Sequence, residues 1–431
     1  MSFLNTDGDV GMSGEKPTEA PKCAINSERL WSSIMGMAAL GGLPGGGCDR
    51  QALTDTDRAA RDLFVEWARA AGCAIKIDQF GNIFAIRPGA RPEAPAVLLG
   101  SHLDTQPHGG RFDGIYGVMA GLEVVRAMND AQILTESPIA VVNWTNEEGV
   151  RFAPGLTGSK GFAGILPPSA IADMRSRDGA RFTDELERIG YRGDMSSSTL
   201  PVAAYLEAHI EQGPVLERAG TPIGVVTGVQ GVRWFQLTVE GADRHAGTTS
   251  MDVRRDSFMA TARIILELRN AALQLSGDVR FTAGRVNVMP GSTNTVPGKT
   301  VVEIDLRHPD EIVLDRMEVL IAPTAARIAL EERCIARVER TMDVRPVHFD
   351  SRIVDSIAAA AAGRNERFTR LASGAMHDAS SIAQIAPSAM VFVPCRDGIS
   401  HAEEEWAEPE HLAIGCAVLA DAACNLARVV P

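Results

Sequence analysis

The sequence predicts an α/β protein with a mostly parallel sheet and a smaller inserted domain. Continuous apolar runs at residues 96–99 and 139–144 flank a helical pattern at residues 114–131. A strand, helix and strand at this spacing form a unit with parallel strands and a right-handed crossover. From about residue 221 the pattern changes to a second series of strands and helices. The length of 431 residues also favours two domains.

Local signals define the elements that come first. Residues 54–71 are predicted to form an amphipathic helix, because Thr54 can cap its start and Gly72 can end it. Residues 74–77 and 83–86, with a short polar linker between them, predict a hairpin. The continuous apolar runs that follow are typical of strands buried on both faces of a sheet.

The second series has the order β-α-β-β-α-β, which is the ferredoxin-like or split βαβ arrangement. Its predicted elements are a strand at 232–239, a helix at 253–273, strands at 284–288 and 300–306, a helix at 311–333 and a short final strand that begins at 335–338. Further elements follow residue 349, with an Ala-rich helix near 353–362 and a strand at 389–393. We therefore expect a disordered tail (1–24), a main domain in two pieces (25–220 and 345–431) and an inserted domain (221–344).

Charge and cysteine content narrow the class of protein. A net charge of −13 and a pI near 5.3 argue against binding to nucleic acid or to anionic membrane surfaces. The seven cysteines are scattered and include no C-x-x-C pair, so we expect free thiols in a reducing compartment. The polar start resembles no signal peptide, and no uninterrupted apolar stretch is long enough to span a bilayer. These features predict a cytoplasmic protein without a membrane partner.

Side chains that bind divalent metals follow several of the apolar runs. They are His102, Asp104, Asp113, Glu147, Glu148, His209, Glu211 and His401. The carboxyl ends of strands in an open α/β sheet are where ligands bind. Three imidazoles and several carboxylates there suit a pair of divalent metals, with one carboxylate left over as a base. This combination points to metal-assisted hydrolysis.

Each of these residues also has a simpler explanation. A single loop histidine is more often a surface or core residue than a ligand, and Asp113 could merely cap the helix that follows it. Glu147 and Glu148 could be solvated loop charges. However, adjacent carboxylates at the end of a buried strand repel each other unless a cation lies between them. The simpler explanations account for single residues but not for the whole series.

Longer motifs extend this hypothesis to a family. GSHLDT, FDG and NEEG suggest the wider group of dinuclear-metal peptidases and amidohydrolases, which includes aminoacylases. HIEQGP, RHAGTTSMDVRRD, NTVPG followed by DLR, SGAMHDAS and VPCRDGISH suggest a narrower family. From about residue 25 the chain resembles the hydantoinase/carbamoylase amidases, a group that contains N-carbamoyl-L-amino acid hydrolases, β-ureidopropionases and allantoate amidohydrolases.

The resemblance implies a role for each candidate side chain. It implies two metal-ligand sets that share one carboxylate: His102, Asp113 and His209, and Asp113, Glu148 and His401. Asp104 would orient the imidazole of His102, and Glu147 would take a proton from the attacking water and deliver it to the leaving nitrogen. Mixed nitrogen and oxygen ligands suit zinc or manganese, with cobalt or nickel as further options.

The resemblance also implies substrate contacts from the inserted domain, through His245, Asn294 and Arg307. Gln212, beside His209, can present its amide to a ureido group, and His377 is expected near the site. Arg307 could clamp a carboxylate with two hydrogen bonds, or could simply pair with Asp305 or Asp310 at the surface. An arginine that reaches substrate from an inserted domain implies that this domain closes as a lid. The resemblance further implies a homodimer formed through the inserted domain.

Two positions depart from the family pattern. Met376 stands where glycine is usual before the His-Asp pair, and Ser250 replaces a common proline. Neither change removes a ligand, but Met376 could alter the shape of the pocket.

The sequence thus predicts an enzyme that hydrolyses the carbamoyl C–N bond of an N-carbamoyl-L-amino acid or N-carbamoyl-β-alanine. Allantoate is the alternative substrate. Less favoured alternatives are an aminoacylase or peptidase of the wider group and a metal-binding homologue without activity.

Overall fold

The computed structural model describes residues 23–196 and 199–430. The predicted disordered tail, residues 1–24, lies outside the described residues except for its last two. The described strands form a nine-stranded sheet, a four-stranded sheet and a two-stranded ribbon. The protein therefore has the mixed α/β architecture that the sequence predicts.

The larger sheet has a parallel centre and antiparallel edges. Its strands are β1 (Ala74–Ile77), β2 (Ile83–Arg87), β3 (Ala96–His102), β4 (Ile139–Trp144), β5 (Val202–Ile210), β6 (Ile223–Val229), β13 (Val347–His348), β14 (Phe368–Ser373) and β15 (Ser388–Val393). They run in the order β1-β2-β4-β3-β5-β15-β6-β13, and β14 pairs with β6. The neighbours β4, β3, β5 and β15 are parallel, whereas β2 and β6 join them antiparallel on either side.

Helices surround this sheet. They are α1 (Ser27–Ala39), α2 (Asp55–Ala70), α3 (Ile115–Asp130), α4 (Thr157–Phe162), α5 (Pro168–Asp173), α6 (Phe182–Arg188), α7 (Val215–Ala219), α10 (Ser351–Gly363), α11 (Asp378–Ile382) and α12 (Pro409–Ala427). Among the described helices, α12 alone is long and apolar enough to cross a membrane, and 67% of that stretch is buried in the protein. It packs against α1, α3 and α10, as a core helix does.

The local predictions for this part of the chain are confirmed. The Thr54 side chain accepts a hydrogen bond from the Asp57 backbone N–H at the start of α2, and β1 and β2 form an antiparallel hairpin. Every residue of β3 and β4 is buried, because strands covered on both faces have no polar side. The predicted parallel unit of β3, α3 and β4 is also present.

The smaller sheet has the predicted β-α-β-β-α-β order. Its elements are β7 (Gly231–Glu240), α8 (Ser257–Leu275), β9 (Arg280–Met289), β11 (Lys299–His308), α9 (Glu311–Glu331) and β12 (Ile335–Val344). The antiparallel strand order is β12-β7-β11-β9. The two helices pack against the sheet around an apolar core that is separate from the core of the larger sheet. A short ribbon, β8 (Arg244–His245) with β10 (Thr295–Val296), extends from this part of the chain.

Several boundaries differ from the sequence expectations. The chain passes from the larger to the smaller sheet at Gln230, whereas the expected insertion begins at residue 221, one strand earlier. An apolar strand pattern does not reveal which sheet a strand joins. α8 begins at Ser257 because Asp256 caps it, and β12 (Ile335–Val344) is a strand of 10 residues rather than a short one. The division into two domains remains a prediction.

Candidate metal centre

The predicted metal ligands meet at one edge of the larger sheet. His102 ends β3, and His209 is the penultimate residue of β5. Glu147 and Glu148 follow β4, and His401 follows β15. Because these four strands are adjacent and parallel, their carboxyl ends lie side by side. The sheet thus brings together side chains that are up to 299 positions apart in the sequence, from 102 to 401.

The first ligand group contains His102, Asp113 and His209. Asp113 Oδ1 lies 3.4 Å from His102 Nε2 and 3.2 Å from His209 Nε2, and all three side chains are buried. Two ligand atoms that each lie about 2.1 Å from one tetrahedral ion are ~3.4 Å apart. The spacing and the chemistry of these donors therefore fit a divalent ion.

The second ligand group contains Asp113, Glu148 and His401. His401 Nε2 lies 3.3 Å from Asp113 Oδ2 and 3.6 Å from Glu148 Oε2. Asp113 thus presents one carboxylate oxygen to each group, which is the arrangement expected of a bridging ligand. Unlike the first group, this group reaches the surface, since 48% of the His401 side chain is exposed.

Backbone carbonyl groups orient the two buried imidazoles. His102 Nδ1 lies 2.8 Å from the backbone oxygen of Asp104, and His209 Nδ1 lies 2.9 Å from that of Ile210. Because a carbonyl oxygen only accepts, each Nδ1 carries a proton, and each Nε2 faces the Asp113 carboxylate. Both rings are therefore held with Nε2 in the position from which it could ligate an ion.

The Asp104 side chain has a different contact from the predicted one. Its Oδ1 atom is 3.9 Å from His102 Nδ1, too far for a hydrogen bond. The carboxylate instead accepts the backbone N–H groups of Glu147 and Glu148, each at 3.2 Å. The backbone of Asp104 thus orients His102, while its side chain fixes the loop after β4.

The backbone at the centre adopts several conformations that L-residues rarely adopt. Gly114 has a φ of +66°, and a Cβ atom there would lie 2.4 Å from the His102 ring, so only glycine fits beside that ligand. Asn146, Gln212 and His401 have φ values of 56°, 57° and 55°. Such strain clusters where the surrounding structure fixes a functional geometry.

Glu147 is placed to exchange protons at the first group. Its Oε2 atom lies 3.5 Å from His102 Nε2, and no described ligand group includes it. Burial raises the pKa of Glu147 well above its usual range, although the charge of His102 opposes this shift. A carboxylate with a raised pKa is a better proton acceptor than an ordinary surface glutamate.

The residues of the second group shift one another's pKa values. Burial opposes ionisation of Asp113, but the nearby histidines outweigh it and hold the pKa of Asp113 well below its usual range. Burial and the charge of Asp113 raise the pKa of Glu148 to about 7. A hydrogen bond with Asp113 raises the pKa of His401 to about 9. A cation between these carboxylates would relieve their mutual repulsion.

Two supporting residues were missed by the sequence analysis. The buried Glu405 carboxylate accepts the backbone N–H groups of Phe112 at 2.9 Å and Asp113 at 3.1 Å. The Ser400 hydroxyl lies 2.9 Å from Asp113 Oδ2 and 2.8 Å from Glu405 Oε2. Glu405 closes a run of three glutamates, a pattern typical of a solvated loop, so only its position after His401 hinted at a role.

A third group of possible ligands lies behind the first. It contains Glu207, His209 and His377. Ser101 Oγ and the backbone N–H of Ala379 donate to Glu207 at 2.6 and 2.9 Å. These bonds engage both carboxylate oxygens, so Glu207 fits a structural role.

A cavity of about 480 Å³ adjoins the ligand groups. Three predicted substrate-binding residues, Gln212, Arg307 and His377, line it. Gln212 Nε2 donates to Asp113 Oδ2 at 2.8 Å, and His377 Nε2 lies 2.8 Å from Ser373 Oγ. Lys160, which the sequence analysis did not select, also lines this cavity.

Arg307 lines the cavity but is already paired. Its Nε and Nη2 donate to Asp305 at 2.9 and 2.8 Å, which is the surface pairing considered from the sequence. The other two substrate-binding predictions lie outside the cavity. His245 and Asn294 are exposed near each other on the ribbon, where the Ala246 N–H donates to the Asn294 carbonyl. Neither residue lines the cavity, so their contact with substrate stays a prediction.

Comparisons with known proteins show what this chain is similar to. The model of peptidase family M20/M25/M40 matches residues 98–425. N-carbamoyl-L-amino-acid amidohydrolase of Rhizobium meliloti is 42% identical over 406 residues, which cover 94% of this chain and 98% of that protein. The protein of the same name from Geobacillus stearothermophilus is 38% identical over 408 residues, covering 94% and 99%.

Solved structures give the same result. The crystal structure of a hydantoinase/carbamoylase family amidase from Burkholderia multivorans superposes with a TM-score of 0.92 at 44% identity, covering 94% of this chain and 99% of that one. The chain therefore belongs to peptidase family M20/M25/M40 and, within it, to the hydantoinase/carbamoylase amidases.

Proposed function

We propose that this protein is a dinuclear-metal amidohydrolase that cleaves the carbamoyl C–N bond of N-carbamoyl-L-amino acids. The products are the amino acid, carbon dioxide and ammonia. The observation that carries the proposal is the pair of ligand groups joined by Asp113, in a chain that aligns over nearly its whole length with proteins named for this activity. N-carbamoyl-β-alanine and allantoate are the alternative substrates.

The ligand sets define the proposed cofactor. His102, Asp113 and His209 would hold one divalent ion, and Asp113, Glu148 and His401 the other. When bound, such ions supply Lewis-acid polarisation of the carbonyl group and activation of water. The mixture of imidazole nitrogen and carboxylate oxygen suits zinc or manganese, and also cobalt or nickel.

Glu147 would move the proton. Its carboxylate accepts a proton from the attacking water as a C–O bond forms at the carbamoyl carbon. It then gives that proton to the leaving nitrogen as the C–N bond breaks. The carbamic acid that is released decomposes to ammonia and carbon dioxide. The position of Glu147 beside His102 supports this role, as does the raised pKa of its carboxyl group.

Substrate recognition would involve both sheets. Arg307 would exchange part of its pairing with Asp305 for the substrate carboxylate, and Gln212 would present its amide to the ureido group. His377 would line the floor beside His209. His245 and Asn294 could reach the substrate only after the smaller sheet closes over the cavity or from a second copy of the chain.

We further propose a homodimer formed through the smaller sheet and its helices. Met259, Leu266 and Leu273 are exposed on α8 at intervals of seven residues, so they lie along one side of the helix. β9 is an edge strand of the smaller sheet, and no described strand pairs with its outer side.

We also propose a cytoplasmic location. The seven cysteines are all free and buried, which supports a reducing compartment.

A substrate panel tests the proposed activity. Ammonia release is measured from N-carbamoyl-L-amino acids, N-carbamoyl-β-alanine and allantoate, and acetate release from an N-acetyl amino acid. We expect turnover of the N-carbamoyl-L-amino acids. Turnover of the acetyl compound alone would overturn the carbamoylase assignment, and preference for allantoate would replace the substrate.

A further inference from the structure

Four long or branched apolar side chains line the cavity beside the ligand groups. We refer to Leu156, Met342, Val344 and Met376, all of which line the cavity, as the apolar wall. Met342 and Val344 come from β12 of the smaller sheet, whereas the other two belong to loops and turns around the larger sheet. The polar residues that line the cavity are mainly the candidate metal ligands and the basic residues Lys160 and Arg307. Such an arrangement suits a ligand with one polar end and one apolar group.

The adjoining cleft is different in character. Its volume is about 970 Å³, and it shares Gln212, Arg307 and His401 with the metal-ligand cavity. Its lining adds the charged side chains of Asp278, Arg280 and Arg370, among other polar groups. An apolar substituent there would strip water from charged groups at a cost. The apolar wall is therefore the better place for a substrate side chain.

Met376 is held at a fixed point of this wall. Its two neighbours are both anchored to Ser373, because Ser373 Oγ lies 2.9 Å from the Ala375 carbonyl oxygen and 2.8 Å from His377 Nε2. The His377 ring in turn packs edge-on against the ligand His209, with ring centroids 4.6 Å apart. The side chain of Met376 remains 40% exposed. The backbone is thus fixed beside the metal centre, and the flexible side chain borders the cavity.

We propose, on the basis of the proposed function, that Met376 is a specificity-determining residue that selects N-carbamoyl-L-amino acids with aliphatic side chains. Unbranched methionines at 342 and 376 adapt to side chains of different shape, but their bulk limits the length of the pocket. N-carbamoyl-β-alanine has no side chain to fill the wall. The second ureido group of allantoate would meet apolar atoms that offer it no hydrogen bond.

Kinetics on a graded substrate series test this inference. We would measure kcat/KM for the N-carbamoyl derivatives of L-alanine, L-norvaline, L-norleucine and L-phenylalanine with the wild-type protein and with Met376→Gly and Met376→Ala. Each methylene that gains or loses apolar contact changes kcat/KM by roughly tenfold. We expect both variants to lose activity on norvaline and to gain on phenylalanine, so that the phenylalanine-to-norvaline ratio rises at least about tenfold.

Met35→Ala is the matched control, because Met35 lies on α1, packs against the main core and does not line the cavity. The phenylalanine-to-norvaline ratio of kcat/KM for Met35→Ala should equal that of the wild type. Metal content of all variants should be unchanged, since Met376 is not a ligand. If the wild-type protein turns over the series but the phenylalanine-to-norvaline ratio is unchanged in both Met376 variants, this inference alone is overturned. No ammonia release from any compound of the series would overturn the proposed function and this inference with it.

Discussion

The two ligand groups share Asp113 but differ in their surroundings. In the first group, His102 and His209 have exposed fractions of 2% and 1%, and backbone carbonyls fix both rings. In the second group, His401 is about half exposed. The Glu148 carboxylate of this group accepts a hydrogen bond from the Gln106 amide at 2.6 Å. One half of the centre is therefore built into the core, whereas the other half is built at its surface.

Because of this difference, we expect the more buried ligand group to have the higher affinity for metal. Ligands that are oriented before an ion arrives lose little entropy when they bind it. Ligands that water can reach must first exchange their hydration and their hydrogen bonds. We therefore expect an ion at the first group to bind more tightly and to exchange more slowly than an ion at the second.

The largest expected effect separates the two groups directly. His209→Ala breaks a buried pair with Asp113, which costs on the order of 3–5 kcal/mol, and should abolish activity. His401→Ala removes a half-exposed partner, which costs about 1 kcal/mol or less, and should leave about one ion per chain. Thermal unfolding measures the loss of stability, and elemental analysis measures the metal content of each variant. Equal losses of stability and of metal in the two variants would contradict the proposed difference between the two groups.

Replacement of the base should leave both groups intact. Glu147→Gln keeps the shape of the side chain but removes its ability to accept a proton, so kcat should fall roughly 10²–10⁴-fold. Metal content should stay at the wild-type value. Ammonia release and elemental analysis on the same sample provide the test. If the variant lost an ion, Glu147 would be a ligand and the division into two groups would need revision.

Asp104 supports the second group through the backbone of Glu147 and Glu148. In Asp104→Asn, one of the two accepted N–H groups would face an amide N–H instead of an oxygen. Activity should fall about 10–100-fold, and an ion at the second group should bind more weakly than in the wild type. Titration of the metal-free variant with zinc measures this change. Asp173→Asn, an exposed acid on α5, is the control and should behave as wild type.

The smallest effect is expected at Ser400. Ser400→Ala removes one hydroxyl between Asp113 and Glu405, and a single hydrogen bond contributes about 0.5–1.5 kcal/mol. Activity should therefore fall less than about tenfold, with both ions retained. A loss as large as that of Asp104→Asn would mean that the hydroxyl contacts substrate rather than only supporting Asp113.

The sequence predicted the fold, and the side chains predicted as ligands lie close together in the structure, because both depend on local patterns. A continuous apolar run followed by a histidine or a carboxylate is visible in the sequence, and parallel strands then bring these ends together. The hydrogen bonds that fix the ligands were not visible in this way. The acceptors of His102 and His209 are backbone carbonyls, and Glu405 reaches Asp113 across 292 positions.

Contacts that depend on the two sheets together were the hardest to predict. Arg307 lines the cavity as expected, but its guanidinium pairs with Asp305. The ribbon that carries His245 was absent from the sequence analysis, since each of its strands has only two residues. Such short elements have no periodicity to detect.

The hydrogen bonds from Phe112 and Asp113 to Glu405 have a consequence for biosynthesis. Asp113 is translated early, but Glu405, which accepts its backbone N–H, and His401 of the second group follow the entire smaller sheet in the chain. A nascent chain that ends at β12 therefore contains both histidines of the first group but lacks the hydrogen bonds from Phe112 and Asp113 to Glu405. On the proposed function, both ligand groups would be complete only after the C-terminal elements have been made, so two bound ions would mark a finished molecule.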